Sequence, residues 1–222
     1  MVRDVKRKMV DLRLKTPFTM LIASPSKSGK TTLVGGLLSS ADEYFDKPPK
    51  HIYYFYNTWS PTYNEIRTKN DKVKFIKGLC DKDWIETHCG EGEDVTIVLD
   101  DQALNLTKDI AEIFSVTSHQ FNINCIMLAQ NLFTKNKFFR DASLNATYII
   151  LGKNPRDQSS VRHLAQQMFP GRSSELVDAY KLATSEPYTH LLLDFNQSTP
   201  EHLRLRSNVL SSGKPMSVYL KK

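Results

Sequence analysis

Residues 18–32 read FTMLIASPSKSGKTT, and this stretch says more about the fold than any other part of the 222-residue chain. Residues 18–23 form an apolar run that predicts a buried strand. A loop of small residues follows, and residues 30–39 have the pattern of a helix. A strand, a loop with Gly-Lys-Thr and a helix, in that order, are the context of a Walker A phosphate-binding loop.

The loop contains the residue types that bind a nucleoside triphosphate. A helix N-terminus offers backbone N–H groups and a partial positive charge to an anion. We expect Gly29 to let the backbone approach the phosphates, Lys30 to reach the β and γ oxygens, and Thr31 to ligate Mg²⁺. The pattern G-x-x-x-x-G-K-[ST] has Gly first, whereas this chain has a serine there, whose side chain restricts the backbone. The predicted nucleotide-binding residues are Ser24, Pro25, Ser26, Lys27, Ser28, Gly29, Lys30, Thr31 and Thr32.

A second stretch, residues 95–102, reads VTIVLDDQ and predicts a strand that ends in two carboxylates. In open α/β sheets, ligands bind at the carboxyl ends of the strands. We therefore expect Asp100 to hold Mg²⁺ through its water shell, as a Walker B aspartate does. Asp101 would orient or deprotonate the attacking water.

A third polar residue, Gln130, follows an apolar run at residues 125–129. An amide at the end of a neighbouring strand can contact the γ-phosphate or its water, and Asn131 competes for the same role. The order of the runs implies one strand between the strands of the two Walker motifs. The fold class predicted is therefore α/β: a P-loop NTPase of the additional-strand class, with a mainly parallel sheet flanked by helices.

Bulk composition sets wider limits. No linker rich in Pro, Gly or Ser is visible, so we predict a basic N-terminal segment at 1–15, a single ATPase domain at 16–210 and a polar tail at 211–222. The net charge of +6 is compatible with a polyanionic partner but does not require one. Three cysteines argue against a disulfide framework and for a reducing compartment. No apolar stretch approaches the ~20 residues of a membrane span, so no membrane partner is expected.

These motifs together resemble the FtsK–HerA-type genome-packaging ATPases of double-stranded DNA viruses. The sequence is most similar to the short, single-domain ATPases of the poxvirus type and of Polinton-like or adintovirus-like elements. The resemblance covers roughly residues 15–170. It is carried by the two Walker stretches, by residues 128–130 (LAQ) and by residues 148–157 (YIILGKNPRD).

The resemblance implies a homo-oligomeric ring, usually a pentamer or hexamer, around double-stranded DNA. ATP would lie between subunits, and an arginine of the neighbour would complete each site; Arg140 is the preferred candidate and Arg156 the other. DNA phosphates would be contacted without base readout by basic loops, for which residues 131–137 and 68–77 are candidates. Further partners would be capsid or portal proteins. The location would be intracellular, in the host nucleus or cytoplasm at the site of virion assembly.

The leading hypothesis for function is an ATP-hydrolysing motor, with ATP and Mg²⁺, that translocates double-stranded viral DNA into a capsid. Two alternatives stay open. One is a P-loop kinase of small molecules or nucleosides, although no lid with paired arginines is visible. The other is a nucleotide-dependent assembly switch with slow turnover, which Asp101 in place of Glu and the missing first Gly leave open.

Overall fold

The computed structural model describes residues 11–90, 93–209 and 215–219. Within them, one sheet of nine strands has the order β3-β2-β4-β5-β1-β6-β7-β8-β9. The strands are β1 (Thr19–Ala23), β2 (His51–Tyr56), β3 (Val73–Lys77), β4 (Val95–Leu99), β5 (Ile123–Ala129), β6 (Tyr148–Gly152), β7 (His190–Asp194), β8 (Leu205–Ser207) and β9 (Ser217–Val218).

The sheet has a parallel part and an antiparallel part. From β3 to β6 in the spatial order, all neighbours run parallel, whereas β7, β8 and β9 add on antiparallel to β6. β5 lies between β1 and β4, which confirms the predicted inserted strand and the additional-strand class. Every residue of β1, β4 and β5 is buried, as expected for strands that are covered on both faces and have nearly continuous apolar sequences.

Helices cover both faces of the sheet. Buried side chains of α1 and α3 belong to the core on one face, and those of α4, α5, α7, α8 and α9 belong to the core on the other. The helices are α1 (Lys30–Ser39), α2 (Ala41–Tyr44), α3 (Pro61–Lys69), α4 (Lys82–His88), α5 (Lys108–Glu112), α6 (Ser118–Gln120), α7 (Lys137–Leu144), α8 (Ser159–Met168) and α9 (Ser173–Ala183).

One of the two segments considered as basic DNA-binding loops is not a loop. Residues 68–69 end α3, and residues 73–77 form β3, the edge strand beside β2. The physical reason is burial: Ile66 anchors α3 and Val73 anchors β3 in the core, at 3% and 5% exposure. The outward lysines of β3 then fit an edge strand, where charge opposes pairing with another chain. The prediction of a loop at 68–77 was therefore wrong.

The chain on either side of residues 16–210 joins the fold where it is described. Leu14 is buried and bridges Phe45, and β9 pairs with β8. Residues 1–10, 210–214 and 220–222, which make up most of the predicted basic segment and tail, lie outside the described residues. The predicted domain bounds stay a prediction. In the described part of the chain, no helix combines the length and apolar character needed to cross a bilayer.

Candidate nucleotide-binding site

The phosphate-loop motif follows β1 directly and ends where α1 begins. Gly29 has φ of 85°, a left-handed conformation that glycine adopts without steric cost, and Lys30 is the first helical residue. The Lys30 ammonium donates hydrogen bonds to the carbonyl oxygens of Ser24 and Pro25, at 2.7 and 2.8 Å. Burial lowers the pKa of Lys30, and the nearby charges of Asp100 and Asp101 oppose this shift. The Lys30 ammonium is thus hydrogen-bonded to the backbone of its own loop.

A cleft of about 750 Å³ opens in front of this loop. That volume suits a small-molecule ligand, since such sites measure ≈ 300–1,000 Å³. Of the predicted residues, Ser24 is buried beneath the loop and Ser26 is exposed. The remaining wall comes from α1, from the start of α3 with the residue before it, and from the start of β7 with the turn before it. The lining residues are Lys27, Ser28, Gly29, Lys30, Thr31, Thr32, Leu33, Ser60, Thr62, Tyr188 and His190.

The serine at the first position of the motif is accommodated by a glycine on β6. Ser24 is 5% exposed, and its backbone N–H donates to the carbonyl of Ala129 at 3.1 Å. A Cβ added to Gly152 would contact the Ser24 hydroxyl and lie 2.8 Å from the Ser24 Cβ. The Ser24 side chain therefore fits only because Gly152, on the neighbouring strand, has no side chain at this point.

Asp100 at the end of β4 is held by three hydroxyl groups on one carboxylate oxygen. Tyr54, Tyr63 and Thr31 approach its Oδ2 at 2.7, 2.9 and 3.3 Å. The carboxyl group is buried at 5% exposure, so these bonds offset the cost of desolvating it. Burial, followed by the charge of Asp100, raises the pKa of both tyrosines, which therefore stay neutral donors. The orientation of the carboxylate is fixed by β2 and α3.

An aromatic cluster extends from this carboxylate to the surface. The Tyr63 ring lies 5.1 Å from Tyr54 and 5.4 Å from Trp59, centroid to centroid. Phe75 on β3 and Tyr56 on β2 complete the cluster. Trp59 is 42% exposed at its outer end. A continuous series of ring contacts thus runs from the tyrosines that bind Asp100 to the exposed Trp59.

The arrangement of Thr31 and Asp100 fits a magnesium ion. Mg²⁺ prefers oxygen ligands, keeps several waters and is usually bound by one or two carboxylates together with substrate phosphates. A hydroxyl and a carboxylate oxygen 3.3 Å apart, beside the phosphate loop, meet that requirement. Among the described residues, no group of three or more His, Cys, Asp or Glu side chains could hold a metal by itself. The ion would therefore depend on the nucleotide for further ligands.

The two other predicted catalytic side chains lie on the same edge of the sheet. Asp101 is exposed, with φ of 56°, and its backbone carbonyl accepts a hydrogen bond from Asn57 at 3.0 Å. Its carboxylate has no hydrogen-bond or ion-pair partner in the described part of the chain. Gln130 is exposed at the end of β5 and lines a small cavity together with Ser24. Asn131 is exposed in the loop that follows.

The structure does not bring either candidate arginine to the cleft of its own chain. Arg140 is exposed on α7, and Arg156 is exposed in the turn between β6 and α8. Neither guanidinium makes an ion pair with any described residue. Neither arginine therefore lines the cleft in front of the phosphate loop.

Sequence reasoning missed Leu33, Ser60 and Thr62, which line the cleft, and five further residues around it. Two are the tyrosines on Asp100, one is the glycine under the loop, and two belong to the turn before β7 and its first residue. The aromatic run at residues 51–56 carried a signal for the first of them, because alternation in a strand places Ile52, Tyr54 and Tyr56 on one face. The five further residues are Tyr54, Tyr63, Gly152, Tyr188 and His190.

Comparison with known proteins bears on the fold. No protein-family model and no curated protein matches the sequence. The chain is similar to the genome packaging NTPase B204 from Sulfolobus turreted icosahedral virus 2 in complex with ATP-gammaS: TM-score 0.51, 16% identity, covering 82% of this chain and 94% of that one. The cytoplasmic domain of EssC gives a TM-score of 0.47 at 15% identity, covering 70% of this chain and 34% of that one. The cytoplasmic domain of the Thermomonospora curvata Type VII Secretion ATPase EccC gives 0.48 at 10% identity, covering 92% and 24%.

The fold and the sheet order define the chain as a P-loop NTPase of the additional-strand class. B204 shares this fold at a low sequence identity.

Proposed function

We propose that this chain is a Mg²⁺-dependent ATPase of the FtsK–HerA packaging type, which translocates double-stranded DNA into a capsid as a homo-oligomeric ring. The observation that carries the proposal is the convergence of Lys30, Thr31 and Asp100 at one edge of a sheet with a strand inserted between their two strands. Relatedness to the poxvirus-type and Polinton-like ATPases belongs to the same proposal and rests on the motifs. The similarity to B204, a genome packaging NTPase in complex with ATP-gammaS, supports it.

Each residue of the cleft has a role that follows from its position. The Lys30 ammonium exchanges its two backbone acceptors for phosphate oxygens when ATP enters. Thr31 and Asp100 would hold Mg²⁺, which would supply positive charge to neutralise the phosphates. Asp101, exposed and unpaired among the described residues, orients the attacking water and accepts its proton. Gln130, directly after the inserted strand β5, contacts the γ-phosphate or that water.

The neighbouring subunit supplies Arg140 to each site. Its free guanidinium stabilises the charge that develops on the transferred phosphoryl group. A mixing experiment tests this assignment, because the Lys30→Ala and Arg140→Ala chains are each expected to be inactive alone. In a mixed ring, a site between the phosphate loop of one variant and the arginine of the other is intact, so activity returns. If mixing restores nothing for Arg140→Ala but does for Arg156→Ala, Arg156 has this role.

DNA contact is assigned to residues 131–137, the candidate segment that is a loop up to the first residue of α7. Lys135 and Lys137 are exposed there, and phosphate contacts by lysine are independent of base sequence. The double change to Glu at both positions should abolish stimulation of the ATPase by duplex DNA and leave the basal rate unchanged. The matched control, Lys72→Glu with Lys74→Glu near the sheet edge, should leave the stimulation unchanged. Capsid or portal partners and an intracellular site of virion assembly complete the proposal.

The decisive measurement is the steady-state ATPase rate against protein concentration, with and without duplex DNA. Wild type is compared with Lys30→Ala and with Lys181→Ala, an exposed lysine on α9. We expect a rate that rises with DNA and with concentration, is lost in Lys30→Ala and is kept in Lys181→Ala. A Lys30-dependent rate that ignores DNA would refute the motor and favour a kinase or a switch. Activity in Lys30→Ala would refute the phosphate-loop assignment itself.

A further inference from the structure

Tyr188, in the turn before β7, lies against the phosphate loop. Its Cδ1 would be 3.2 Å from a Cβ placed on Gly29, so the tyrosine ring covers the glycine directly. Its backbone has φ of 63°, a conformation that bulky residues rarely adopt. The side chain is 74% exposed, and within the described part of the chain it has no aromatic or hydrogen-bonded partner. An aromatic ring thus lies at the mouth of the cleft, and most of its surface is exposed to solvent.

The position of Tyr188 corresponds to the nucleoside end of a bound nucleotide. Asp100 and the hydroxyl of Thr31 mark the metal side of the loop, where the terminal phosphates lie. Asp100 ends β4, two strands from β1 in one direction, while Tyr188 precedes β7, two strands from β1 in the other. A triphosphate with its γ end towards Asp100 therefore extends its nucleoside towards Tyr188.

A second observation at the same wall points to a ligand. His190, which also lines the cleft, is 5% exposed, and its Nε2 is buried without a hydrogen-bond partner among the described residues. Buried polar atoms are almost always paired, so an unpaired one that lines a cleft indicates a missing partner. Burial lowers the pKa of the imidazole to about 4, so His190 is neutral near pH 7 and adds no charge beside the loop. A neutral wall suits a nucleoside better than a phosphate.

We propose that Tyr188 and His190 form the nucleoside subsite of this cleft, in which the tyrosine ring stacks on the base and the imidazole Nε2 hydrogen-bonds the nucleoside. The inference rests on the proposed nucleotide-binding function and adds the part of the ligand that the phosphate motifs do not address. Stacking of a base on an aromatic ring tolerates any base, so Tyr188 contributes affinity for nucleosides in general.

Calorimetric titration of the full chain with Mg²⁺ and two probes, ATP and inorganic tripolyphosphate, tests the proposal. Tripolyphosphate occupies the phosphate loop but has no base. Tyr188→Ala should weaken ATP binding by roughly ten- to a hundredfold, since base stacking on an aromatic ring is of that order, and leave tripolyphosphate unchanged. Tyr188→Trp, which keeps an aromatic ring at this position, should bind ATP about as tightly as the wild type. The control Leu182→Ala removes another exposed apolar side chain, on α9, and should change the affinity for neither probe.

The outcomes separate this inference from the function beneath it. If Tyr188→Ala weakens both probes equally, or neither, while Lys30→Ala weakens both, the nucleoside subsite is refuted and the phosphate loop stands. If Lys30→Ala weakens neither probe, the nucleotide-binding function fails and the subsite fails with it. His190→Phe, which keeps an aromatic ring but lacks Nε2, should weaken ATP and spare tripolyphosphate; equal affinity for ATP would overturn the role of the imidazole.

Discussion

The serine in the phosphate loop and the glycine on β6 should behave as one unit when either is changed. Gly152→Ala would place a Cβ 2.8 Å from the Ser24 Cβ and in contact with the Ser24 hydroxyl. Carbon atoms in contact prefer a separation of ≈ 3.5–4.0 Å, so one of the two strands must move. Because Gly152 is paired with His190 on β7 and Ser24 with Ala129 on β5, neither can move freely.

The size of the effect follows from the cost of overpacking a buried position, which is about 1–3 kcal/mol. For a protein of this length, that corresponds to a melting temperature lowered by roughly 2–12 °C. ATP affinity should fall as well, because the carbonyl of Ser24 helps to position Lys30. Ser24→Gly combined with Gly152→Ala removes both clashing atoms and creates the usual Walker glycine. The double variant should therefore recover most of the loss.

The assay is a double-mutant cycle by urea unfolding, together with titration of ATP into each variant. Ser24→Gly alone should cost at most about 1 kcal/mol, from added backbone freedom. The control is Gly36→Ala on α1, where an added Cβ meets nothing within 4 Å and should stabilise the helix by about 0.5–1 kcal/mol. Equal stability of Gly152→Ala and wild type, or a double variant as unstable as Gly152→Ala, would show that the two positions do not compensate.

Three further outcomes follow from groups already described. Tyr63→Phe removes one hydroxyl from a buried carboxylate and should lower the free energy of unfolding in urea by about 1.5–3 kcal/mol; an unchanged value would mean that Tyr54 and Thr31 suffice. The pKa of His190 is about 4 in the folded protein and about 6.5 in the unfolded chain. Between these pH values only the unfolded state binds a proton on this imidazole. The free energy of unfolding should therefore fall by up to about 3 kcal/mol as the pH drops from 6.5 to 4. A His190→Gln variant should lack this component, and equal slopes in both proteins would exclude it. The three cysteines are buried, and burial raises the pKa of Cys80, of Cys125 and of Cys89, the last to about 12. Native protein at pH 8 should therefore not react with Ellman's reagent, whereas unfolded protein should expose three thiols. One thiol that reacts fast in the native protein would contradict the burial.

Much of the central sheet could be predicted from the sequence because its strands are covered on both faces. β1, β4 and β5 are largely apolar, with one polar residue in each, and polar residues follow each strand at its carboxyl end. The inserted strand, and the positions of Lys30 and Asp100 on one edge, follow from these runs and the parallel connections alone. Local patterns were enough here because each of these strands lies directly before its motif in the sequence.

The rest of the cleft could not be predicted, because it depends on contacts between distant residues. Gly152 is 128 residues from Ser24, and no local pattern shows that the two fill the same space. Tyr63 lies on α3, a helix that buries only two residues and so has little apolar periodicity. Tyr188 reaches the phosphate loop because of a left-handed turn and an antiparallel strand.

The aromatic cluster beside Asp100 also gives the protein an intrinsic fluorescent reporter. The chain has two tryptophans, and Trp84 packs on the opposite side of the sheet from the cluster. Trp59 meets the Tyr63 ring edge-on, and the hydroxyl of that ring donates to the carboxylate. A shift of Asp100 on binding metal and nucleotide would change the surroundings of the Trp59 indole. With Trp84 replaced by Phe, one emission spectrum would follow the Asp100 carboxylate in real time, without a label.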